Sequence, residues 1–251
     1  MNTYRADLHV HTLLSPCGDL EMSPARIVEV AAERGIDILG VTDHNSTKHG
    51  ALIKKLAGKE GIFVLCGAEV TTREEIHCLA FFENDDTLLR FQQYLDEHMS
   101  DLLNDSHRFG YQVVIDEEEM IVEEVEKLLF AAIDQSIDDV EEKVHALGGL
   151  FIPAHIDRPG MSLFSQLGFL PPGLKADALE ISRHSSPEEV LSEHPEVAKY
   201  CLIGNSDAHF PEQLGSRTTL FRLKTRSFDE IRMALAGENG RKAWIETRAK
   251  G

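Results

Sequence analysis

Two histidines one residue apart, His9 and His11 in "DLHVH", converge on one point if the stretch is extended, because side chains alternate along a strand. In that geometry Asp7, His9 and His11 share one face, and Leu8 and Val10 the other. Paired imidazoles suit a divalent metal. A single His-x-His is equally compatible with a solvated polar face, so the rest of the chain must decide. Apolar runs repeatedly stop at a ligand-type residue. The run 38–42 stops at Asp43 and His44, "IFVLCGAEVTT" carries Glu69, "GLFIPAHIDRPG" ends at His155, "ADALEIS" carries Glu180, and "YCLIGNSDAH" ends at Asp207 and His209.

These runs are short and rich in β-branched or aromatic residues, as buried strands are. Helix punctuation lies between them. Ser23-Pro24 supplies an N-cap and a first-turn proline, with Ile27, Val30 and Ala31 on one face and Gly35 as a stop; Ser186-Pro187 repeats the start, and Ser227 with Glu230 fits a capping box. Strand and helix in alternation predict an α/β fold, and ligand-type residues gathered at strand ends favour a parallel barrel. One pair departs from the parallel pattern. Only "TTREE" separates "FVLCGAEV" from "EIHCLAFF", too few residues for a parallel crossover, so these strands form an antiparallel hairpin that returns His77 to the rim holding Glu69.

From about residue 85 to 135 the chain is acidic and helically spaced, with Leu88, Phe91, Leu95 and Leu102 in one run and Ile121, Val125, Leu128 and Leu129 in the next. This stretch is expected to be a mostly helical insertion over the barrel mouth, within a single domain spanning 1–251. Ser136 then opens a helix of the barrel repeat, with Val140, Val144 and Leu147 on one face.

Composition narrows the partners. The chain has 251 residues, 42% of them hydrophobic, and 25 basic against 43 acidic residues give a net charge of −18. Such a balance disfavours an extended nucleic-acid track or an anionic membrane surface. Cys17, Cys66, Cys78 and Cys201 form no Cys-x-x-Cys pair. No leader-like or membrane-spanning stretch is evident, so a cytoplasmic location is expected.

Taken in order, "DLHVHT", "TDHN", "GAEVTT", "EIHCLAFF", "PAHIDRP" and "NSDAH" resemble the successive motifs of the PHP family, the polymerase and histidinol phosphatase metal-dependent phosphoesterases. The likeness runs from residue 7 to about residue 221. It implies a distorted TIM-like (β/α)7 barrel and two or three divalent ions. It also implies the ligands: His9, His11, Glu69 and Asp207 for one ion, with Glu69 bridging to a second held by His77 and His155. A third would be held by His44 and His209 and one residue of "SPCGDLEMSP", where Asp19 is the first choice and Cys17 the alternative.

The residue types fit that chemistry by themselves. Imidazole and carboxylate suit zinc, manganese or iron, and six histidines with three carboxylates exceed the needs of one tetrahedral ion. A bridging carboxylate holds two ions roughly 3.5–4 Å apart, and a metal-bound water then attacks phosphorus in line. Arg158, Arg183 and Arg217 follow site-bearing strands and are candidates to grip the phosphate, and His184 is a candidate general acid. Asp43 is placed to orient a ligand. His49, His98, His107, His145 and His194 fall in helical segments and read as surface or structural.

The expected activity is therefore hydrolysis of a phosphate ester, a small phosphomonoester or nucleotide phosphate. Alternatives are a nuclease-like phosphodiesterase acting on nucleic-acid ends and an amidohydrolase-type metal hydrolase, besides a metal-binding module without activity. The Asp207-x-His209 ending, together with Glu69 and His77, speaks against the amidohydrolase, and a nearly complete ligand series speaks against the inactive module.

Overall fold

The computed structural model describes residues 1–247. The chain opens with β1 (Asn2–Asp7), α1 (Pro24–Glu33), β2 (Ile38–Val41), α2 (Gly50–Lys59), β3 (Phe63–Thr71), β4 (His77–Phe82) and α3 (Asp85–His98). A short α4 (Ser106–Phe109) and the strands β5 (Val113–Ile115) and β6 (Ile121–Glu124) follow. The remainder runs through α5 (Ile137–Ala146), β7 (Leu150–Pro153), α6 (Leu163–Leu167), β8 (Leu179–Glu180), α7 (Pro187–Glu193), β9 (Leu202–Ile203), β10 (Thr219–Leu223), α8 (Phe228–Leu235) and β11 (Lys242–Ile245). Serine caps place several helices as expected: Ser23 accepts from Arg26 N ahead of Pro24, and Ser136 and Ser186 make full capping boxes with Asp139 and Glu189. Ser227 also accepts from Glu230 N, but the Glu230 carboxylate pairs with Arg241 instead of returning to the cap.

A curled seven-stranded sheet has the order β11-β10-β1-β2-β3-β4-β7. β1, β2 and β3 are parallel, and β4 runs antiparallel to both β3 and β7. The short parallel pair β8 and β9 fills the gap between β7 and the continuation of β1. On one side Ile156 N donates to Glu180 O and Asp177 N to Phe151 O, each at 2.9 Å; on the other His11 N donates to Ala208 O at 3.0 Å. The α/β class holds, while the ring is bridged here by isolated hydrogen bonds and is not closed by a continuous ladder.

Alternation divides the strand residues between two apolar layers. Leu8, Ile38, Leu65, Leu79, Phe81, Leu150, Ile152 and Ile203 form an inner cluster on which α8 lays Phe228, Ile231 and Leu235. Leu39, Val41, Val64, Cys66, Ala80, Phe82 and Phe151 face outward against α1, α2, α3 and α5. A fully buried leucine or phenylalanine of this kind contributes on the order of 1.5–3 kcal/mol.

The segment after α3 differs from the expected helical insertion. α3 packs Phe91 on Phe82 of β4, with ring centroids 4.6 Å apart, and so belongs to the outer helix layer. Beyond it, the run at 121–129 is strand and irregular chain: β6 pairs antiparallel with β5, and Gln112 donates to Val125 O and Lys127 O and accepts from Leu129 N. Adjacent β-branched Ile121 and Val122 suit a strand, and Val113 to Ile115 provide its partner. The helical spacing of Ile121, Val125, Leu128 and Leu129 is thus coincidental.

Gly67 lies midway along β3, where a Cβ would come within 1.9 Å of Ala80 O on β4. Gly67→Ala is therefore expected to destabilise the protein by about 1–3 kcal/mol, read as a lower urea midpoint. Gly58→Ala, in α2 with open space around it, should be neutral or stabilising by up to about 1 kcal/mol. Equal midpoints for the two variants would contradict the close approach.

Candidate metal centre

β3 and β4 form the expected hairpin, with Thr71 opposite His77. Glu69 and His77 therefore look inward at one rim, like Leu65 and Leu79 below them. The Glu69 carboxylate is the hub. Its Oε1 lies 2.8 Å from His77 Nδ1, 3.1 Å from His155 Nε2 and 3.2 Å from His9 Nε2, and its Oε2 lies 3.0 Å from His44 Nδ1 and 3.3 Å from His11 Nε2. Asp207 Oδ1 stands 3.4 Å from His9 Nε2 and 3.5 Å from both His11 Nε2 and His209 Nδ1. The His209 ring stacks on His11 with centroids 4.1 Å apart.

Not all of these side chains arrive by strand alternation. Ala154 is inward, so His155 would point outward, but its φ of 30° turns it into the site. Asp207 also has left-handed backbone, φ 51°. Such conformations cost on the order of 1–3 kcal/mol each in residues other than glycine. At the first motif the alternation slips: Leu8 stays in the inner cluster, yet His9 also enters the site and Val10 packs outward. The slip occurs where β1 leaves β10 and takes up residues 207–209 as its neighbour. Asp7 consequently does not share the face of His9 and His11; it accepts from Ser206 N and Gly215 N at 3.0 and 2.7 Å.

Behind the imidazoles stands a buried set of acceptors. Glu180 Oε2 lies 2.9 Å from His9 Nδ1 and accepts from His155 N at 3.0 Å, and Oε1 accepts from Asn205 Nδ2 at 2.7 Å. Asp43 accepts from Thr12 N, Thr12 Oγ1 and Ser15 Oγ, and Ser15 Oγ lies 2.9 Å from His11 Nδ1. Asp43 therefore orients His11 through Ser15, although it neighbours His44 in sequence. Phe130 of the insertion meets His44 and His77 edge-on, with centroids 5.0 and 6.0 Å away.

The electrostatics are uneven across the centre. Burial opposes charge on His9, but Glu180, Glu69 and Asp207 outweigh it and hold its imidazole protonated well above the usual range. His11, against the same burial, is raised to about 8 by Asp207 and Glu69. Burial pushes His44 down to about 4 and lowers His77, and burial beside His11 takes His209 to about 3. Burial would raise Glu69, but the surrounding imidazoles of His77, His9 and His44 hold it well below the carboxylate range.

These residues fit divalent cations. His44 Nδ1, both ring nitrogens of His77 and His155 Nδ1 are buried without a hydrogen bond of acceptable geometry, although Glu69 is close to three of these rings. Among them His44 Nδ1 and His77 Nδ1 converge on the Glu69 carboxylate without bonding it, at 3.0 and 2.8 Å, as ligands of a shared positive centre would. Compact triplets are formed by His9, His11 and Glu69, by His44, Glu69 and His77, and by His11, His44 and His209. His44 thus stands between two of the groups and is not confined to the third ion's set.

Among the described residues, Asp19 joins none of the compact triplets. Its backbone N–H reaches His209 O, but Oδ1 accepts from Glu21 N at 2.8 Å in a local turn. Cys17, its alternative, lines the mouth together with His44, His77 and His209 and is exposed to solvent. Arg158 Nη1 pairs with Asp207 Oδ2 at 2.9 Å, and Arg158, Arg183 and His184 line a hollow of about 120 Å³ beside His155 and Asp207. Arg217 is not in that wall: its guanidinium lies behind the loop and donates to Arg183 O and Ser185 O. His49 is structural, bridging Thr12 Oγ1 and Ile115 N.

Residues 7–235 match the PHP domain family. The chain belongs to that family. It is similar to an uncharacterised protein of Methanocaldococcus jannaschii, 36% identical over 90 residues that cover 33% of this chain and 52% of that protein. It is also similar to the uncharacterised protein YqxK of Bacillus subtilis, 25% identical over 279 residues that cover 96% of this chain and 64% of that one. Among solved structures, the lesion-specific endonuclease PfuEndoQ from Pyrococcus furiosus superposes with a TM-score of 0.76 at 21% identity, over 96% of this chain and 58% of that chain. The PHP chain thus spans between about half and two thirds of the length of these proteins.

Glu180 carries no ligand-like spacing of its own and shows in sequence only as the last inward residue of a short apolar run. If it and Asp43 orient imidazoles, Glu180→Gln and Asp43→Asn should each weaken divalent-metal binding about 10–100-fold, measured by competition with a chromogenic chelator. Wild-type affinity in both variants would remove that role.

Proposed function

We propose that this PHP chain is a metal-dependent phosphoric ester hydrolase that works as one barrel domain over 1–251. The observation that carries the reading is a buried carboxylate, Glu69, with five imidazoles within 3.3 Å of it and with Arg158 and Arg183 lining the same mouth. His9, His11, Glu69 and Asp207 would hold one divalent ion, Glu69, His77 and His155 a second, and His44 with His209 a third, completed by Asp19 or, as the alternative, Cys17. Zinc, manganese or iron bound there would polarise a phosphoryl oxygen and acidify water near neutral pH.

The chain's own residues supply binding and orientation. Glu180 fixes His9 and the backbone of His155, and Asp43 fixes His11 through Ser15. Arg158 and Arg183 offer guanidinium groups to the ester's non-bridging oxygens. His184, in the same wall, is placed to pass a proton to the leaving oxygen. The small volume of the hollow supports a small phosphomonoester or a nucleotide phosphate as substrate.

A second reading is a nucleic-acid phosphodiester. It is favoured by the wider mouth of about 310 Å³, where Phe210, 44% exposed, stands on the lip with Arg158 and Arg183 and offers a face for stacking a base. The likeness to PfuEndoQ is one of fold, and the net charge of −18 weighs against a long strand.

Release of phosphate from a generic monoester, run beside a matching diester with manganese or zinc, tests both readings. Chelator-sensitive turnover is expected, and the monoester-to-diester ratio separates them. Asp207→Ala and His9→Ala should lose metal and turnover together; full turnover by either variant would sink the reading. Metal loading should also release protons at pH 7, because His9 and His11, raised well above the usual range and to about 8, must become neutral to ligate. Calorimetry in buffers of differing ionisation heat is expected to show net proton release at pH 7, smaller as pH rises past 8.

A further inference from the structure

The loop 182–185 carries Arg183 and His184, both exposed, into the wall of the hollow beside His155 and Asp207. Exposed loop side chains ordinarily sample many rotamers, so a binding wall built from them needs a fixed backbone. This loop is held from two sides. In front, Asp157 accepts from Ser182 N at 2.6 Å and from Ser182 Oγ at 2.8 Å. Behind, Arg217 Nη1 donates to Arg183 O at 3.2 Å and Nη2 to Ser185 O at 2.8 Å. A fork spanning two carbonyls two residues apart is a geometry that guanidinium offers and ammonium does not.

The position of that fork is itself constrained. Arg217 Nε is buried with no hydrogen-bond partner, which costs free energy unless the rest of the group is well placed. A Cβ on Gly204 would collide with Arg217 Nε, so the glycine after β9 makes room for the arginine to pass beneath the loop. Burial lowers the Arg217 pKa while Asp157 and Glu180 favour its charge.

We infer that Arg217 is a positioning residue, which fixes the backbone of 182–185 from behind so that Arg183 and His184 meet the part of an anionic substrate lying away from the Glu69 centre. This rests on the phosphoesterase reading for the substrate, but the contacts it names are separable from turnover. It also replaces the direct phosphate contact expected of Arg217 from the sequence.

The test uses the metal-loaded full chain, with inorganic phosphate as the probe. Arg217→Ala should accelerate amide hydrogen exchange at Arg183, His184 and Ser185, weaken phosphate binding by calorimetry about tenfold, and leave bound metal unchanged. On any ester the wild type turns over, KM should rise, and kcat should fall as well because His184 moves with the same loop. Arg217→Lys should fall between the two, and Gly204→Ala, by displacing the guanidinium, should repeat the pattern; these two carry the test if Arg217→Ala does not fold. Unchanged phosphate affinity despite faster loop exchange overturns the proposal, as does loss of metal in Arg217→Ala or a wild type that binds no phosphate. If the wild type binds phosphate and the Arg217 effects hold while no ester is cleaved, the hydrolase reading falls and the positioning role stands.

Discussion

A carboxylate with almost no exposure to water, Glu69, is the constraint around which the rest of this structure is arranged. An unpaired buried charge is costly, and removing one partner of a buried pair is costlier than never having made it. In the metal-free chain the balance comes from protons: His9 and His11 are held protonated against Glu69 and Asp207, while burial keeps His44, His77 and His209 neutral. Divalent ions would replace those protons with fixed charge and give the unpaired Nδ1 atoms of His44 and His77, which face Glu69, a partner. Stability and metal affinity are therefore set by the same atoms.

Delivering these groups to one point explains where the sheet departs from regularity. The β3–β4 hairpin places Glu69 and His77 on one rim, which a parallel crossover would not do in so few residues. His155 and Asp207 reach the centre through left-handed backbone, and His9 through a slip in alternation where β1 exchanges one neighbour for another. The ladder is interrupted at the same place. Across that gap Glu180 and Asn205 tie the ends of β7, β9 and β1 together, Asn205 Oδ1 accepting from Leu8 N. The side chains that orient ligands thus also carry cohesion that backbone hydrogen bonds supply elsewhere in the sheet.

Much of this was legible because strand ends and short connections are local signals. The His-x-His pair, the hairpin returning His77 to Glu69, and the serine caps of α1, α5 and α7 all follow from spacing alone. Three features were not. Asp19 is a ligand-type residue whose Oδ1 closes a local turn on Glu21 N, a contact that its position in sequence did not announce. The apolar spacing of Ile121, Val125, Leu128 and Leu129 imitates a helix, yet Gln112, just ahead of β5, satisfies that backbone in extended form. Glu180 and Arg217 act through groups far away in sequence, and periodicity cannot report such contacts.

The insertion acts on the centre without contributing a ligand-type side chain to the cluster. Asn45, with φ 44°, donates to Leu129 O and Ala131 O and accepts from Thr71 N, which fastens the insertion to the strand carrying Glu69. Phe130, between those two carbonyls in sequence, lies edge-on to His44 and His77. An apolar ring there removes water from two imidazoles, and desolvation is what keeps both neutral, the form that binds a metal. On the opposite side Glu180 and Asp207 keep His9 charged. One half of the centre is thus prepared by exclusion of solvent, to which Phe130 of the insertion contributes at His44 and His77, and the other by opposing charge.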